Sequence, residues 1–424
     1  MTILGIYSWT RLWSMGSRRG AESFSLALKA LPRWGHTLHV VTPREKGQPR
    51  HEVWDGVHIH RLSTTFNFLP DPFRRSRFIR IAERILKYVL FQLFAGLEAL
   101  RISRRIYPTA VVAYGAFAVP AAWWVSRMRG LPLVTRLFGQ SLNLCLGHRF
   151  KFMGNFPEIF AMKIPSSFLI LHDDGAEGDK VAGQLKISAS RFRYWKNGID
   201  PDLYRPDMDR SAVRREMGFG PDEILLFGVA RMVLEKHLER VVSLLPSLLI
   251  EEPKLRLFLV GDGPKRPELE QLVRELGLES KVYFAGAQPR EELYKYFNAG
   301  DIFFSVSDRT NGGNPTVEAM YCSRCVIVLN TGSTDKLVKH GETGIIVEPD
   351  HLEELPERIL EVIRDVGYRE RLGRAARAAI ARQIPTIEER QRMEVGLIEQ
   401  AVKNHAGSQG GATPDEGTRS GAAR

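Results

Sequence analysis

Two rhythms of hydrophobic and polar positions alternate along most of the chain. Short apolar runs bounded by polar turns have the pattern of buried parallel strands. Longer stretches whose apolar residues recur every three or four positions have the pattern of helices packed on one side. The first run is "TILGIYS", residues 2–8, followed by a polar glycine-containing loop, a helix over "SFSLALKALPRWG" and a second strand over "HTLHVVTP". This order of strand, loop, helix and strand is the unit of a parallel sheet. It returns through "AVVAYG", "PAAWWVSRMRG", "LPLVTRLFG" and "SSFLILHDD", and closes on the short strand "RFRYWKN". After the turn-rich "NGIDPDLYRPDMDR" the alternation restarts, with strands at "EILLFGVAR", "LRLFLVGDG", "KVYFAG", "DIFFSVS", "CVIVLN" and "IIVEP".

The pattern therefore predicts an α/β protein with two Rossmann-like, doubly wound domains facing each other across a cleft. Length agrees, because 424 residues exceed what one core organises. The first domain is expected over 1–200 and the second over 201–384. A helix over 385–403 should pack back toward the first domain. The Gly/Ala/Ser-rich end, 404–424, lacks an apolar pattern and is expected to be disordered. In such sheets ligands bind beyond the carboxyl ends of the strands. The loops after "TILGIYS", "LLFGVAR", "LFLVGDG" and "FFSVS" are thus the places to look for chemistry.

Composition narrows the class. Hydrophobic residues are 44% and charged residues 26%, the balance of a globular protein. No apolar run approaches the ~20 residues of a membrane-spanning helix, and the first residues read as a strand rather than a signal peptide. Three cysteines form no disulfide framework and suit a reducing cytoplasm. "CSRC", residues 322–325, has no second Cys/His pair to complete a metal site. Net charge is +11. Part of the excess lies in 73–107, where cations interleave with apolar residues at helical spacing. This stretch is either an ordinary surface helix pair or a face that rests on anionic lipid at the inner membrane. No nucleic-acid motif accompanies the charge.

Three loops carry candidate chemistry. In "FGVARMVLEKHLE" a strand delivers Arg231, and Lys236 follows near a helix start. A cation beside the positive end of a helix dipole is unfavourable unless an anion is bound. A guanidinium fork with an ammonium suits a diphosphate. The alternative is a solvated surface pair. "LVGDGPKRPELE" has Gly261 and Gly263, but Arg266 stands where a dinucleotide fingerprint needs a third glycine. In "NGGNPTVEAM", Asn311, Gly312, Gly313, Asn314 and Thr316 lie at a helix entry whose free amides can meet an anion or hydroxyls. Pro315 donates no N–H, which costs nothing in a first turn. Glu318, one turn in, can accept two hydroxyl protons from a ribose, or merely complement the dipole. Adjacent Asp173 and Asp174 would diverge, so no Mg²⁺ site is expected.

Taken together, "GVARMVLEKHLERV", "LFLVGDGPKRPELEQLV", "KVYFAGAQPREELYKYFNAGDIFFSVS" and "NGGNPTVEAMYCSRCVIVLNTGSTDKLVKHGETGIIVEPD" resemble the family-4 retaining glycosyltransferases of the GT-B fold. "GSRRGAESFSLALKALPRWGHTLHVVTP" and "YWKNGIDPDLYRP" are similar more loosely. The resemblance covers roughly residues 1–400. It implies a cytoplasmic hexosyltransferase, peripheral at most, that needs neither metal nor cofactor. A sugar would pass from a nucleoside-diphosphate sugar to a glycan or lipid-linked acceptor, in cell-surface polysaccharide or glycolipid synthesis. Arg231 and Lys236 match the family's donor-diphosphate pair, Glu318 its ribose-binding Glu, and Gly16 or Gly20 its first-domain glycine near the donor phosphates. Gly263 falls in the same donor set. The sequence departs from the family at Thr310, where the first Glu of the "Glu, seven residues, Glu" motif belongs; Asp308 is two residues away. Phe138 or Gly139 stands where many members place a histidine, and Ala230 and His237 stand where glycine is usual. An epimerase of the same fold and a catalytically silent nucleotide-sugar-binding subunit are the alternatives.

Overall fold

A computed structural model describes residues 1–8, 22–44, 47–63, 77–145, 155–202, 204 and 209–410. Two sheets organise it. The first has eight strands in the order β3-β4-β2-β1-β5-β6-β7-β8. These are β1 (Thr2–Tyr7), β2 (Thr37–Thr42), β3 (His51–Trp54), β4 (Val57–Arg61), β5 (Ala110–Tyr114), β6 (Leu133–Leu137), β7 (Phe168–His172) and β8 (Phe192–Trp195). All neighbours run parallel except β3 and β4, a hairpin at the sheet edge that the hydrophobic pattern did not announce. Its reason is local: Asp55 and Gly56, both with positive φ, make the two-residue turn that reverses the chain.

The second sheet is wholly parallel, in the order β11-β10-β9-β12-β13-β14. Its strands are β9 (Ile224–Val229), β10 (Leu255–Val260), β11 (Val282–Gly286), β12 (Ile302–Ser305), β13 (Cys325–Leu329) and β14 (Ile345–Val347). Helices cover both faces, so its central strands are buried on both sides. That is why they read as near-continuous apolar runs instead of alternating ones. The order reverses direction between β9 and β12, and a crevice opens at such a reversal.

Each sheet carries its own apolar clusters, such as one around Ile6, Val111 and Leu171 and another around Leu226, Leu257 and Ile327. The two are joined twice. The chain crosses after β8, and it crosses back before the helix Ile387–Gly410, where Ile199 N–H donates to Pro385 O (3.0 Å) and Ile387 N–H to Ile199 O (2.9 Å). This last helix packs Val395, Leu397, Ile398 and Ala401 into the first domain's core. It runs on to Gly410, seven residues into the stretch expected to be disordered; the remaining tail lies outside the described residues. Ala401 to Gly410 contain few strong apolar signals, and the helix continues there because its earlier turns are already docked.

Buried polar contacts fix the docking. The Glu394 carboxylate meets Arg136 Nε at 2.6 Å and Arg390 Nη2 at 2.7 Å. Both guanidiniums hold the Glu394 carboxyl below the usual carboxylate range, against the opposing effect of burial.

The basic stretch over 73–107 is one helix, Arg77–Ile106, rather than a pair. Phe91, Ala95, Ala99 and Ile102 face the core. Gly96 lets the helix approach Trp124, whose ring would lie 2.3 Å from an added Cβ. The opposite side is also apolar: Ile85, Leu86, Val89, Leu93 and Leu97 are each about half exposed or more.

Candidate functional site

The carboxyl ends of β9, β10 and β12 meet the loops after β6 and β7 of the first domain. Arg231 leaves β9 exposed, and Lys236 closes a short 3₁₀ turn, Leu234–Lys236. Burial pulls the Lys236 ammonium below its ordinary pKa; Arg309 and Arg231 act the same way, while Glu235 and Asp174 oppose them. Arg231, Lys236 and Arg309 thus lie close enough to interact, with Glu235 and Asp174 among them. The helix Leu238–Glu251 begins immediately after, at His237, whose φ of 47° lies in the left-handed region. Glycine adopts this conformation freely and histidine does not. His237 persists because Nδ1 and Nε2 are anchored at 2.8 Å to Glu239 and at 2.7 Å to Asp308.

That contact decides what Asp308 does. Its other oxygen binds Arg240 at 2.7 Å. The carboxylate two residues from the first-Glu position is therefore committed to the loop start. Thr310, at that position, is buried. Its Oγ1 donates to Asp174 O at 3.3 Å and accepts from Gly312 N–H at 3.3 Å. Gly175 has φ 82°, and a Cβ there would stand 2.3 Å from Thr310 Oγ1. The domains approach closely only because residue 175 has no side chain.

Further contacts cross between the two domains at this point. Arg309 Nη2 donates to Gln140 O and lies 3.8 Å from Asp174. Lys196 Nζ donates to Gly312 O at 3.3 Å and lies 3.3 Å from Asp173. Asp173 and Asp174 also accept from Gly175 N–H and Ala176 N–H, at 2.9 and 3.1 Å. Their carboxylates are thus spent on local turns and cations. Among the described residues no cluster of three His, Cys, Asp or Glu could hold a metal. Cys322 and Cys325 are buried, and burial pushes both thiols up to about 12, so "CSRC" belongs to the core.

The helix Asn314–Tyr321 enters from Gly313. Asn311 holds the loop: its amide carbonyl accepts from Ser305 Oγ (2.6 Å) and Ser307 N–H (2.8 Å), and its Nδ2 reaches Ser307 O, Leu329 O and Thr331 Oγ1. Thr316 Oγ1 donates to Asn311 O at 2.5 Å. These side chains position the loop, and among the described residues the amides of Gly313 and Asn314 donate to no acceptor of the chain. Neither Gly312 nor Gly313 has a positive φ, and a Cβ at either would meet only ordinary contacts. Backbone strain and packing do not require glycine there. Gly263 differs: a Cβ would stand 2.4 Å from Met232 O, so it seats the β10 loop against the loop carrying Arg231.

Glu318 is buried, with Arg290 Nη1 3.8 Å from its Oε1. Arg290 begins the helix Arg290–Ala299, and its guanidinium lies 5.8 Å from the Tyr204 ring centroid. Gly16 and Gly20 lie outside the described residues. Sequence reasoning missed Arg290 and Arg309, which reach the site from separate elements. Arg309 had a signal, since it stands within the loop after β12.

Residues 209–379 match the model of the glycosyl transferases group 1 family, and residues 21–152 that of the glycosyl transferase 4-like domain. The chain is 26% identical over 384 residues to a GDP-mannose-dependent alpha-(1-6)-phosphatidylinositol monomannoside mannosyltransferase of Mycolicibacterium smegmatis, covering 85% of this chain and 90% of that one. It is 27% identical over 213 residues to the sulfoquinovosyl transferase SQD2 of Arabidopsis thaliana, covering 49% of this chain and 40% of that one. Of several such curated relatives the chain spans only about half the length. Its fold is that of a sucrose-phosphate synthase from Thermosynechococcus elongatus, with a TM-score of 0.70, 18% identity and coverage of 95% and 99% of the two chains. Anabaena HepE, solved with UDP and glucose, has a TM-score of 0.66 at 18% identity and coverage of 96% and 99%.

Proposed function

Since the chain belongs to the group 1, family-4 glycosyltransferases and has their GT-B fold, we propose that it transfers a sugar from a nucleoside-diphosphate sugar to a glycan or lipid-linked acceptor, with retention at the anomeric carbon. The observation that carries this reading is the convergence of Arg231, Lys236 and Arg309 beside the open helix entry at Gly313 and Asn314. In the reaction the bond between the anomeric carbon and the diphosphate breaks and negative charge grows on the leaving oxygen. Fixed cations and amides stabilise that charge more in the transition state than in the ground state. They supply it without a metal. The acceptor hydroxyl attacks from the face the leaving group vacates, and its proton passes to the departing phosphate, so no separate general base is needed. Glu318, oriented by Arg290, accepts the ribose hydroxyls. The contacts between Arg309, Thr310, Lys196 and the first domain close the cleft and keep water from the breaking bond.

The acceptor side carries a second observation. The half-exposed apolar row on Arg77–Ile106 continues onto Phe117, Phe156 and Phe160 through the Tyr88 ring, which packs edge-on against Phe117 and Phe156. Exposed arginines 101, 104 and 105 flank its end. An apolar surface edged by cations suits the headgroup region of an anionic leaflet. Such a surface supports a lipid-linked acceptor and a peripheral position at the inner membrane face. Among the described residues no helix is long and apolar enough to cross a membrane.

Incubation with a nucleotide-sugar panel and lipid extract, read by mass spectrometry, tests the assignment. The wild type should form a glycosylated product, and Arg231→Ala should lower turnover on the order of 100-fold. Full transfer by folded Arg231→Ala would refute the diphosphate role. Release of free nucleotide without a glycosylated product would favour an epimerase. No turnover with retained nucleotide binding would favour a silent subunit, consistent with Thr310 in place of a carboxylate.

A further inference from the structure

A second cluster of guanidiniums lies at the other end of the second sheet. Asp301 stands just before β12 and Arg324 just before β13, at the amino ends of strands whose carboxyl ends face the cleft. There a cavity of about 300 Å³ is walled by Arg210, Arg324, Arg369 and Arg374, with Asp301 and Glu370 as its carboxylates. The charges do not balance. Asp301 is already taken up by Arg210, by Arg214 from outside the cavity, and by Leu225 N–H at 2.8 Å. Glu370 lies 3.2 Å from Arg374 on the exposed rim.

Arg324 and Arg369 have no carboxylate within 4 Å among the described residues. Each is held instead by backbone carbonyls. Arg324 donates Nε to Cys322 O (2.7 Å) and Nη1 to Gly300 O (3.3 Å). Arg369 donates Nη1 to Val362 O (3.0 Å) and Ile363 O (3.3 Å). In both, the second terminal nitrogen makes no hydrogen bond among the described residues. Burial, and then Arg210, lower the Arg324 pKa to about 10. Arg324 and Arg369, held in place with spare donors and no carboxylate of their own among the described residues, leave the cavity with an excess of positive charge that an anion can neutralise. The fork geometry of arginine matches phosphoryl oxygens, and the volume admits a phosphoryl group with a small organic substituent.

We propose that this cavity binds a phosphoryl-bearing small molecule, at a site separate from the donor cleft. Its position gives the binding a consequence. Arg210 follows the first crossing between domains, and the helix Val366–Gln383, which bears Arg369 and Arg374, leads directly into the second. The same helix carries Arg377, which donates to Tyr321 O at the end of the helix bearing Glu318. An occupant would tie the start of β13 to the helices Arg210–Glu216 and Val366–Gln383, beside both crossings.

Calorimetric titration with inorganic pyrophosphate tests the site, with Arg231→Ala included because the donor loop also binds diphosphates. The wild type should show two classes of site. Arg231→Ala should lose one and keep the other. Arg369→Gln/Arg374→Gln should show the reverse, with the retained class unchanged and the lost one weakened at least about 10-fold. Glu370→Gln, which removes the competing carboxylate at the rim, should tighten the second class and does not depend on the double variant folding. If Arg231→Ala abolishes all pyrophosphate binding, or the double variant and Glu370→Gln both titrate like the wild type, the proposal is overturned. Sedimentation with phosphatidic acid vesicles separates a free ligand from a lipid headgroup. Vesicle binding lost in the double variant, with no pyrophosphate site, would overturn the small-molecule assignment.

Discussion

Replacing Glu394 by Gln tests what holds the last helix to the first domain. The carboxylate lies between Arg136 and Arg390, whose side chains are 4% and 6% exposed, and its own is 12% exposed. Gln preserves the volume and removes the charge. Two guanidiniums then stay buried next to each other without an anion. Breaking a buried pair from one side typically costs about 3–5 kcal/mol, most of it the cost of the stranded charge. Arg136 also donates to Leu137 O at 2.6 Å and Arg390 to Lys196 O at 3.0 Å, so neither can swing into water cheaply. For a domain of about 200 residues that loss corresponds to roughly 10 °C in melting temperature. The effect also depends on pH. Because the folded-state pKa of Glu394 is depressed, its contribution is full above the ordinary carboxylate range and disappears as pH falls through the folded value. The wild type and Glu394→Gln should therefore differ most at neutral pH and converge in acid. Urea denaturation across pH, with limited proteolysis of the last helix, measures both. A loss under about 1 kcal/mol at pH 7, or a difference that does not shrink in acid, would show that the triad contributes little and that apolar docking of Val395 and Ile398 suffices.

Glu318→Gln should weaken nucleotide affinity by about 2–3 kcal/mol in calorimetry, and unchanged affinity would leave the residue only its partnership with Arg290. His172 is buried beside Arg136 and Lys196, and its pKa is lowered to about 3 from 6.5. The unfolded chain takes up its proton first, so His172 costs stability progressively below about pH 6.5; at pH 5 the loss is about 2 kcal/mol. His172→Gln should remove that part of the acid sensitivity, and urea titrations of equal pH slope would refute it. Vesicles with anionic lipid should sediment the protein in a salt-sensitive way, while Leu93→Glu/Leu97→Glu should abolish sedimentation without unfolding; equal, negligible binding to anionic and neutral vesicles would leave the helix an ordinary surface element.

By itself the sequence determined the two-sheet architecture, because strands buried on both faces must read as unbroken apolar runs between helical stretches. It also pointed to candidate loops, since a parallel sheet presents ligands at its carboxyl ends and the motifs lie there. Arg231, Lys236 and Glu318 were legible as candidates because Arg231 follows a strand, Lys236 precedes a helix and Glu318 lies one turn into another. The edge hairpin over His51–Arg61 was not legible, since a strand pair at a sheet edge needs little apolar periodicity. Nor was the single helix over Arg77–Ile106, whose two apolar sides blur the pattern of one buried face. Tertiary structure alone decided how the deviant positions are used. His237 adopts a glycine-like backbone because Asp308, far along the chain, anchors its ring. Thr310 meets Gly175 of the other domain, and Arg290 reaches Glu318 from a different helix. Arg210, Arg324, Arg369 and Arg374 gather from three elements into one cavity that holds only two carboxylates among the described residues. Each of these depends on contacts between residues distant in sequence, which local propensity and spacing do not encode.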